Sequence, residues 1–341
     1  GARGLSFFLF VSKNYEVLGI EKKLGLKASA TCDVAFDRSE AQLVGQEGYG
    51  LVRYVIGMLN GARMSVASQG TGMATAAYRE ALKYATERIQ FGQPLIEIPA
   101  VRRMLDRMER EIAAMRCLMI ESARSVDRYH WRLIRLTEAG TNDREIRNDE
   151  SIKKNERLAS TLTPMSKYYM SEMCNSLIYD ALQIFGGAGY IEEYDLARLY
   201  RDARITNIYD GTTQIQVNAA IGGIVSGMSE KGQFREHINA FFQTYEPSSL
   251  ARELLEILEE VVRAYRALPS SADKEGFAFE VVETATRLLN GLLLEKTVYQ
   301  LAGDDRQAHR RKLTDDYHID SIAIARGNLY RLQARATTAV T

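Results

Sequence analysis

The pattern of apolar and polar positions divides the chain into three stretches. Residues 1–47 read as short strands and turns. LSFFLFV (5–11) has the aromatic, apolar character of a buried strand, and CDVAFD (32–37) alternates like another. Gly19 and Gly25 break any helix between these runs, and GQEGYG (45–50) is a turn cluster that closes the stretch. From Gly50 onward the period becomes helical. Residues 51–88 hold few breakers beyond glycines that suit close helix packing. Over 99–120, Val101, Met104, Leu105, Met108, Ile112, Met115, Leu118 and Met119 fall on one stripe, a core face and not a metal-binding methionine box. The polar segment 139–157 reads as a surface loop. Helix resumes over 158–185 through Leu158, Leu162, Met165, Leu177, Ala181 and Ile184, and FGGAGY (185–190) interrupts it. Two further helices are predicted over 193–206 and 211–226. GMSEKGQ (227–233) marks a second boundary. Beyond it lie three amphipathic segments, 248–267, 275–301 and 316–335, with PSSAD (269–273) as a linker. No internal repeat is evident, so the last stretch predicts an added helical hairpin or bundle, not a solenoid.

Composition narrows the function classes. At 341 residues the chain has material for about two domains. Its 44 basic and 44 acidic residues cancel, which argues against a strongly electrostatic partner such as nucleic acid. Cys32, Cys117 and Cys174 are odd in number and widely spaced, so neither a disulfide framework nor a cysteine zinc site is expected. His130, His237, His309 and His318 show no metal-ligand spacing, and no metal is expected. No apolar run approaches the roughly 20 residues that span a bilayer.

Three segments carry candidate chemistry. In IYDGTTQIQ (208–216) the chain turns at Asp210-Gly211, and Thr212 can cap a following helix. Amides at that helix start, with the Thr212 and Thr213 hydroxyls, suit phosphate oxygens, and Asp210 would stand nearby as a base. From spacing alone, a plain turn or cap is the stronger reading of Asp210. FGGAGY lacks the full dinucleotide fingerprint and follows a helix, not a strand. Its glycines imply close backbone approach, to another helix or to a ligand. ERIQFGQPL (87–95) ends the first long helix with forked donors at Arg88 and Gln90 and a flat face at Phe91.

These segments, in this order, resemble the C-terminal part of the acyl-CoA dehydrogenases. The resemblance runs from residue 1 to about 226. It rests on ERIQFGQPL, on QIFGGAGYIEEY (183–194) and on LYRDARITNIYDGTTQIQ (199–216), with GLKASATCDVAFD (25–37) and GQEGYG before them. It implies a mainly α chain: the remainder of a middle β-domain (1–47), a four-helix bundle (48–226) and a C-terminal helical extension (227–341). The family's N-terminal helical domain and the first half of its β-domain have no counterpart in the sequence. The segment that usually carries a flavin-contacting tryptophan is among the missing parts, and the only tryptophan here is Trp131. The chain is therefore expected to be a fragment or one part of an enzyme.

The resemblance also implies roles. Asp210 takes the place of the catalytic base. FAD would be met by Arg88, Gln90 and Phe91, which in the family reach the neighbouring subunit's flavin. Gln183, Gly186 and Gly187 would meet its adenosine-pyrophosphate part, and Thr212 and Gln214 would follow the catalytic turn. Asn60 and Arg63 match positions near coenzyme A, Tyr209 the aromatic beside the base, and Gly211 the backbone beside the carboxylate that faces the thioester. Arg201, Asp202 and Arg204 read as structural ion pairs. The implied partners are an acyl-CoA, electron-transfer flavoprotein as acceptor, and a second copy of the chain in a homo-oligomer. The implied setting is bacterial cytoplasm or mitochondrial matrix.

The sequence departs from the family in three places. The usual base is Glu, and Asp210 is shorter by about one C–C bond, roughly 1.5 Å. Some relatives place the base instead beside the arginine matched by Arg63, but Ala62 stands there. Pro99 replaces a usual Gln, and 227–341 runs past the usual end. Aspartate at the base position also occurs in cyclic acyl-CoA dehydrogenases and in nitroalkane oxidases. A flavin oxidase of the same fold, favoured only by Asp210, is therefore an alternative reading; a non-catalytic helical binding protein that kept the fold is a separate one.

Overall fold

A computed structural model describes residues 4–10 and 14–338, though not the side chain of Thr338 or every side chain between Val52 and Asn60. Four short strands open the chain. β1 (Phe7–Phe10) pairs antiparallel with β4 (Ala41–Val44), and β2 (Glu16–Ile20) with β3 (Cys32–Ala35), the latter with a bulge between Val17 and Gly19. The strand expected in 5–11 is present, with Val11 outside the described residues, but it is not buried. Phe8, Leu9 and Phe10 are all exposed, because among the described residues each sheet has two strands and no second layer. The pairs seat on the rest of the chain at Gly25, where a Cβ would lie 2.4 Å from the Arg201 carbonyl oxygen. The Leu26 amide donates to Asp202 at 2.6 Å beside it.

A π-helical turn (Gly50–Val55) leads into α1 (Ile56–Glu87). A tight hairpin, β5 (Ile89–Gln90) and β6 (Gln93–Pro94), then turns the chain into α2 (Pro99–Glu138). Pro99 sits in the first turn of α2, where its missing N–H costs nothing and its fixed φ suits the helix. The expected loop at 139–157 is largely helical. α3 (Asp143–Asn148) starts under the Asn142 side chain, which accepts from the Glu145 amide at 3.0 Å. α4 (Glu150–Phe185) starts under Asp149, which accepts from Ile152 at 2.9 Å. The polar residues that suggested a loop are these caps and the solvated first turns behind them. α5 (Asp195–Ala203) and α6 (Thr213–Gly227) follow.

The bundle is α1, α2, α4 and α6, with α4 at its centre. Ala67, Ala74, Ala77, Ala81 and Ala85 line the buried face of α1 and let α4 approach; a Cβ on Gly70 would lie 3.1 Å from the Met170 carbonyl oxygen. The methionine stripe of α2 is core, with Met108, Met115 and Leu118 fully buried. Stacking of Tyr84 on Phe185 at 4.0 Å brings the C-terminal ends of α1 and α4 together.

The extension holds α7 (Gln233–Thr244), α8 (Ser249–Arg266), α9 (Ser271–Gly276), α10 (Ala278–Gln300) and α11 (Gln307–Thr338). Its hydrophobic cluster is continuous with that of the bundle. A buried polar chain crosses the same boundary. Tyr169 of α4 donates to Glu111 of α2 and shares a 3.0 Å hydrogen bond with Tyr317 of α11; Asn290 of α10 donates to Tyr317 at 3.1 Å, and Arg287 lies 3.8 Å from Glu111. Burial, then the Glu111 charge, holds the Tyr169 and Tyr317 phenols above their ordinary range. No helix among the described residues is long and apolar enough to cross a membrane.

Candidate active site

The turn between α5 and α6 gathers the polar groups. A 3₁₀ segment, Arg204–Asn207, carries the chain from α5 to Tyr209, Asp210 and Gly211. Asp210 adopts φ +53° and Gly211 φ +96°. Left-handed backbone at a non-glycine residue costs on the order of 1–3 kcal/mol and persists only where neighbours enforce it. Gly211 suits a φ that L side chains rarely adopt, and a Cβ there would lie 2.6 Å from Gln216 Nε2, displacing the amide that holds the turn.

Three side chains enforce the turn. Gln216 Nε2, from α6, donates to the carbonyl oxygens of both Asp210 and Gly211 at 3.0 Å. Lys167 Nζ, from α4, donates to the Gly211 oxygen at 2.7 Å. Arg63 Nε, from α1, reaches the Asp210 oxygen at 3.4 Å. Gln216 and Lys167 are fully buried, and Gln216 Oε1 has no hydrogen-bond partner among the described residues. The glutamine thus gives its donor to the turn at the expense of its own acceptor. Among the described residues, the Asp210 and Gly211 amides donate to no protein acceptor.

Charge around the turn is mixed. Burial pushes the Lys167 ammonium down to about 8; Asp210 opposes that shift, Arg63 adds to it, and Glu172 opposes it. Burial also lowers Arg63, against the attraction of Asp210, and raises the Tyr209 phenol, with Asp210 adding to the rise. Tyr209 donates its hydroxyl to Gln69 of α1. Asp210 itself is half-buried, and its charge acts on both cations.

Asp210, Gly211, Tyr209 and Arg63 are therefore brought together. Thr212 occupies the N-cap position of α6 but makes no capping hydrogen bond. Thr213 is buried and donates to Glu172, which also accepts from Asn207 at 3.1 Å, so its hydroxyl is not available to a phosphate. Gln214 is exposed one residue further on. The Asn60 side chain lies outside what the structure describes. Arg201 forms its ion pair, with Glu192 at 3.0 Å, whereas Asp202 accepts from Leu26 and Arg204 donates to Asn207.

The other candidates form a second group where α1 and α4 end, away from the Asp210 turn at the middle of α4. Phe91 and Gly92, at φ +51° and +80°, are the two turn residues of the β5–β6 hairpin, and Phe91 is 91% exposed. Arg88 is exposed beside it and Gln90 half-buried. Gly186 closes α4 at φ +57°; a Cβ on Gly186 or Gly187 would meet nothing within 4 Å, and both are exposed, as is Gln183. Gly189 differs, since its Cβ would lie 2.9 Å from the Leu182 carbonyl oxygen, so that glycine serves helix packing. An exposed ring, a guanidinium and open glycine backbone fit a dinucleotide. The two groups are far apart: Lys167 to Phe185 is about 27 Å along α4 at 1.5 Å per residue.

Lys167, Gln216, Gln69 and Glu172 were not legible as site residues. Lys167 left one trace, a lone cation in the otherwise uncharged run TLTPMSKYYM (161–170) of a buried helix.

Residues 39–139 and 148–223 match the family described as acyl-CoA dehydrogenase, C-terminal domain, which is more than half of the chain. The chain is 36% identical over 243 residues to 3-methylmercaptopropionyl-CoA dehydrogenase of Ruegeria pomeroyi, covering 65% of this chain and 39% of the relative. It is 33% identical over 233 residues to the caffeyl-CoA reductase-Etf complex subunit CarC of Acetobacterium woodii, covering 67% of this chain and 53% of the relative. It thus spans about half the length, or less, of these relatives. The fold is also that of an acyl-CoA dehydrogenase from Bacillus anthracis solved with FAD, with a TM-score of 0.75 at 18% identity, over 94% of this chain and 56% of the other. By its matched domain and its fold, the chain belongs to the acyl-CoA dehydrogenase family.

Proposed function

We propose that this chain is the C-terminal part of an FAD-dependent enzyme that dehydrogenates an acyl-CoA thioester, with Asp210 as the base. The observation that carries the reading is the Asp210 turn. A non-glycine residue in left-handed backbone is held at both carbonyl oxygens by Arg63, Lys167 and Gln216. Strain of this kind, over-determined by buried donors, marks a side chain that must point in one direction.

The residues suit the chemistry. Asp210 accepts the proton from the carbon next to the thioester carbonyl. The backbone amide at Gly211 donates to the thioester oxygen, stabilising the negative charge that develops there. Arg63, beside Asp210, places positive charge where the coenzyme A end approaches. FAD, when bound, supplies the acceptor for the hydride that leaves the adjacent carbon. Arg88, Gln90 and Phe91 would hold one flavin, and Gln183, Gly186 and Gly187 the adenosine side of one, with Thr212 and Gln214 near the base. The separation of roughly 27 Å between the two groups supports a site shared between two copies of the chain, hence at least a dimer. Electrons would pass to an electron-transfer flavoprotein, a partner that the name of the Acetobacterium relative supports.

The test is an anaerobic titration of the longest natural polypeptide containing this chain, purified with its flavin, against saturated acyl-CoAs. Bleaching of the flavin with formation of the 2,3-enoyl-CoA is expected. No bleaching with any thioester, or oxygen consumption on nitroalkanes in its place, would overturn the reading.

A further inference from the structure

Lys167 is a buried cation of the site that the reaction does not use directly. It is fully buried, comes from the middle of α4, and among the described residues its ammonium donates only to backbone, the Gly211 carbonyl oxygen at 2.7 Å. A buried lysine is costly unless its charge is used, because burial works against the ammonium. Glutamine or methionine would fill the same place without that cost. The charged groups that face it are Asp210 from the turn, Arg63 from α1 and Glu172 from its own helix. The nearby Glu172 carboxylate already accepts from Thr213 and Asn207. The geometry points to Lys167 as a positioning residue for Asp210. Its ammonium fixes the Gly211 carbonyl, and with Gln216 and Arg63 it holds the left-handed backbone from which the base projects.

The charge state sets the strength of this clamp. A donor that is charged binds a carbonyl about twice as strongly as a neutral one. When the turn opens with Lys167 still buried between α4 and the bundle, the opening loses a charged donor below about pH 8 and only a neutral one above it, so the turn is held most tightly below pH 8 and loosens as pH rises through that value. Global stability moves the other way. The unfolded chain keeps this proton up to the ordinary lysine value of 10.5, so between pH 8 and 10.5 the unfolded state binds more protons and folding gains with pH. Local loosening with global gain separates a clamp on the turn from a residue that merely fills the core.

The inference rests on the dehydrogenase reading for its consequence, but its first measurement does not. Hydrogen exchange is followed in the longest natural polypeptide, on peptides covering 205–216, which contain the Tyr209 and Gln216 amides bonded to Ile205 and Thr212. Lys167→Met should lower protection there roughly 10- to 100-fold at pH 7, the loss of one hydrogen bond to a charged group, and leave the hairpin at 89–94 unchanged. In the parent, protection factors over 205–216 should fall several-fold between pH 7 and 9.5; in Lys167→Met they should not. Flavin reduction in Lys167→Met should slow tenfold or more with flavin content and acyl-CoA affinity kept. Lys167→Arg should restore the rate and remove the loss above pH 8. Unchanged exchange in the variant, or a pH-independent turn in the parent, would overturn the assignment. A parent that reduces no flavin would instead overturn the dehydrogenase reading and leave the exchange result standing.

Discussion

Asp210 and Phe91 share a left-handed backbone, at φ +53° and +51°, yet one lies against the middle of α4 and the other beyond the end of α1, in opposite surroundings. Around Asp210 every strained carbonyl is met by a buried or half-buried donor of the same chain. Among the described residues, Phe91 has no such support. Its hairpin turn, with Gly92 also left-handed, is the kind that favours asparagine or glycine at the first position. A phenylalanine there, 91% exposed, gains neither turn geometry nor burial within the chain. The difference teaches which turn is self-sufficient. The Asp210 turn is built for a fixed direction. The hairpin group offers a ring, a guanidinium and open glycine backbone to something the chain does not itself supply.

Removing the extension would disturb this comparison most. Tyr169 ties α4 to Tyr317, and α10 and α11 pack on α2 behind it. Truncation after Gly227 should expose the apolar faces of α2 and α6, cause aggregation or strong dye binding, and strip exchange protection from 205–216 before the hairpin loses any. A truncated chain as soluble and as thermally stable as the parent would show that the bundle stands without it.

At the hairpin, Arg88→Ala in the longest natural polypeptide should weaken flavin retention and self-association together, by about tenfold or more for one charge-assisted contact. Exchange over 205–216 should stay as in the parent. Gel filtration with flavin absorbance reads both quantities, and unchanged flavin content would remove the hairpin from the cofactor site. The smallest effect is the most specific. Phe91→Asn should raise the melting temperature slightly, corresponding to roughly 0.5–1 kcal/mol of relieved strain, while flavin content falls. A variant that gains no stability would mean that the turn is not strained.

Much of this was visible in the chain. The α2 methionine stripe, the α4 stripe from Leu158 to Ile184, and the break at FGGAGY follow directly from 3.6-residue spacing. α7 was missed although Phe234, Ile238 and Phe241 have helical spacing and are all buried, because GMSEKGQ before it reads as an ordinary loop. The early starts of α3 and α4 were hidden in polar residues whose capping role depends on the helix that follows. LSFFLFV shows a different limit. An apolar strand reads as buried whatever covers it, and here no second layer is present among the described residues. At the site, Asp210 and Arg63 were legible through the ordered motifs. Lys167 and Gln216 were not, since their role arises only when α4 is packed against the start of α6, 44 residues away from Lys167 at the Gly211 contact.

The central claim is that Asp210 is the base, and the measurement that tests it most directly is the single-turnover rate of flavin reduction by an acyl-CoA in Asp210→Asn. The amide is nearly isosteric and leaves the backbone contacts of the turn in place. Bound flavin and acyl-CoA affinity should therefore match the parent, while the rate falls by about 10²–10⁴-fold, the contribution of a positioned base. Flavin reduction at the parental rate would contradict the account, since Ala62 leaves no carboxylate at the position beside Arg63.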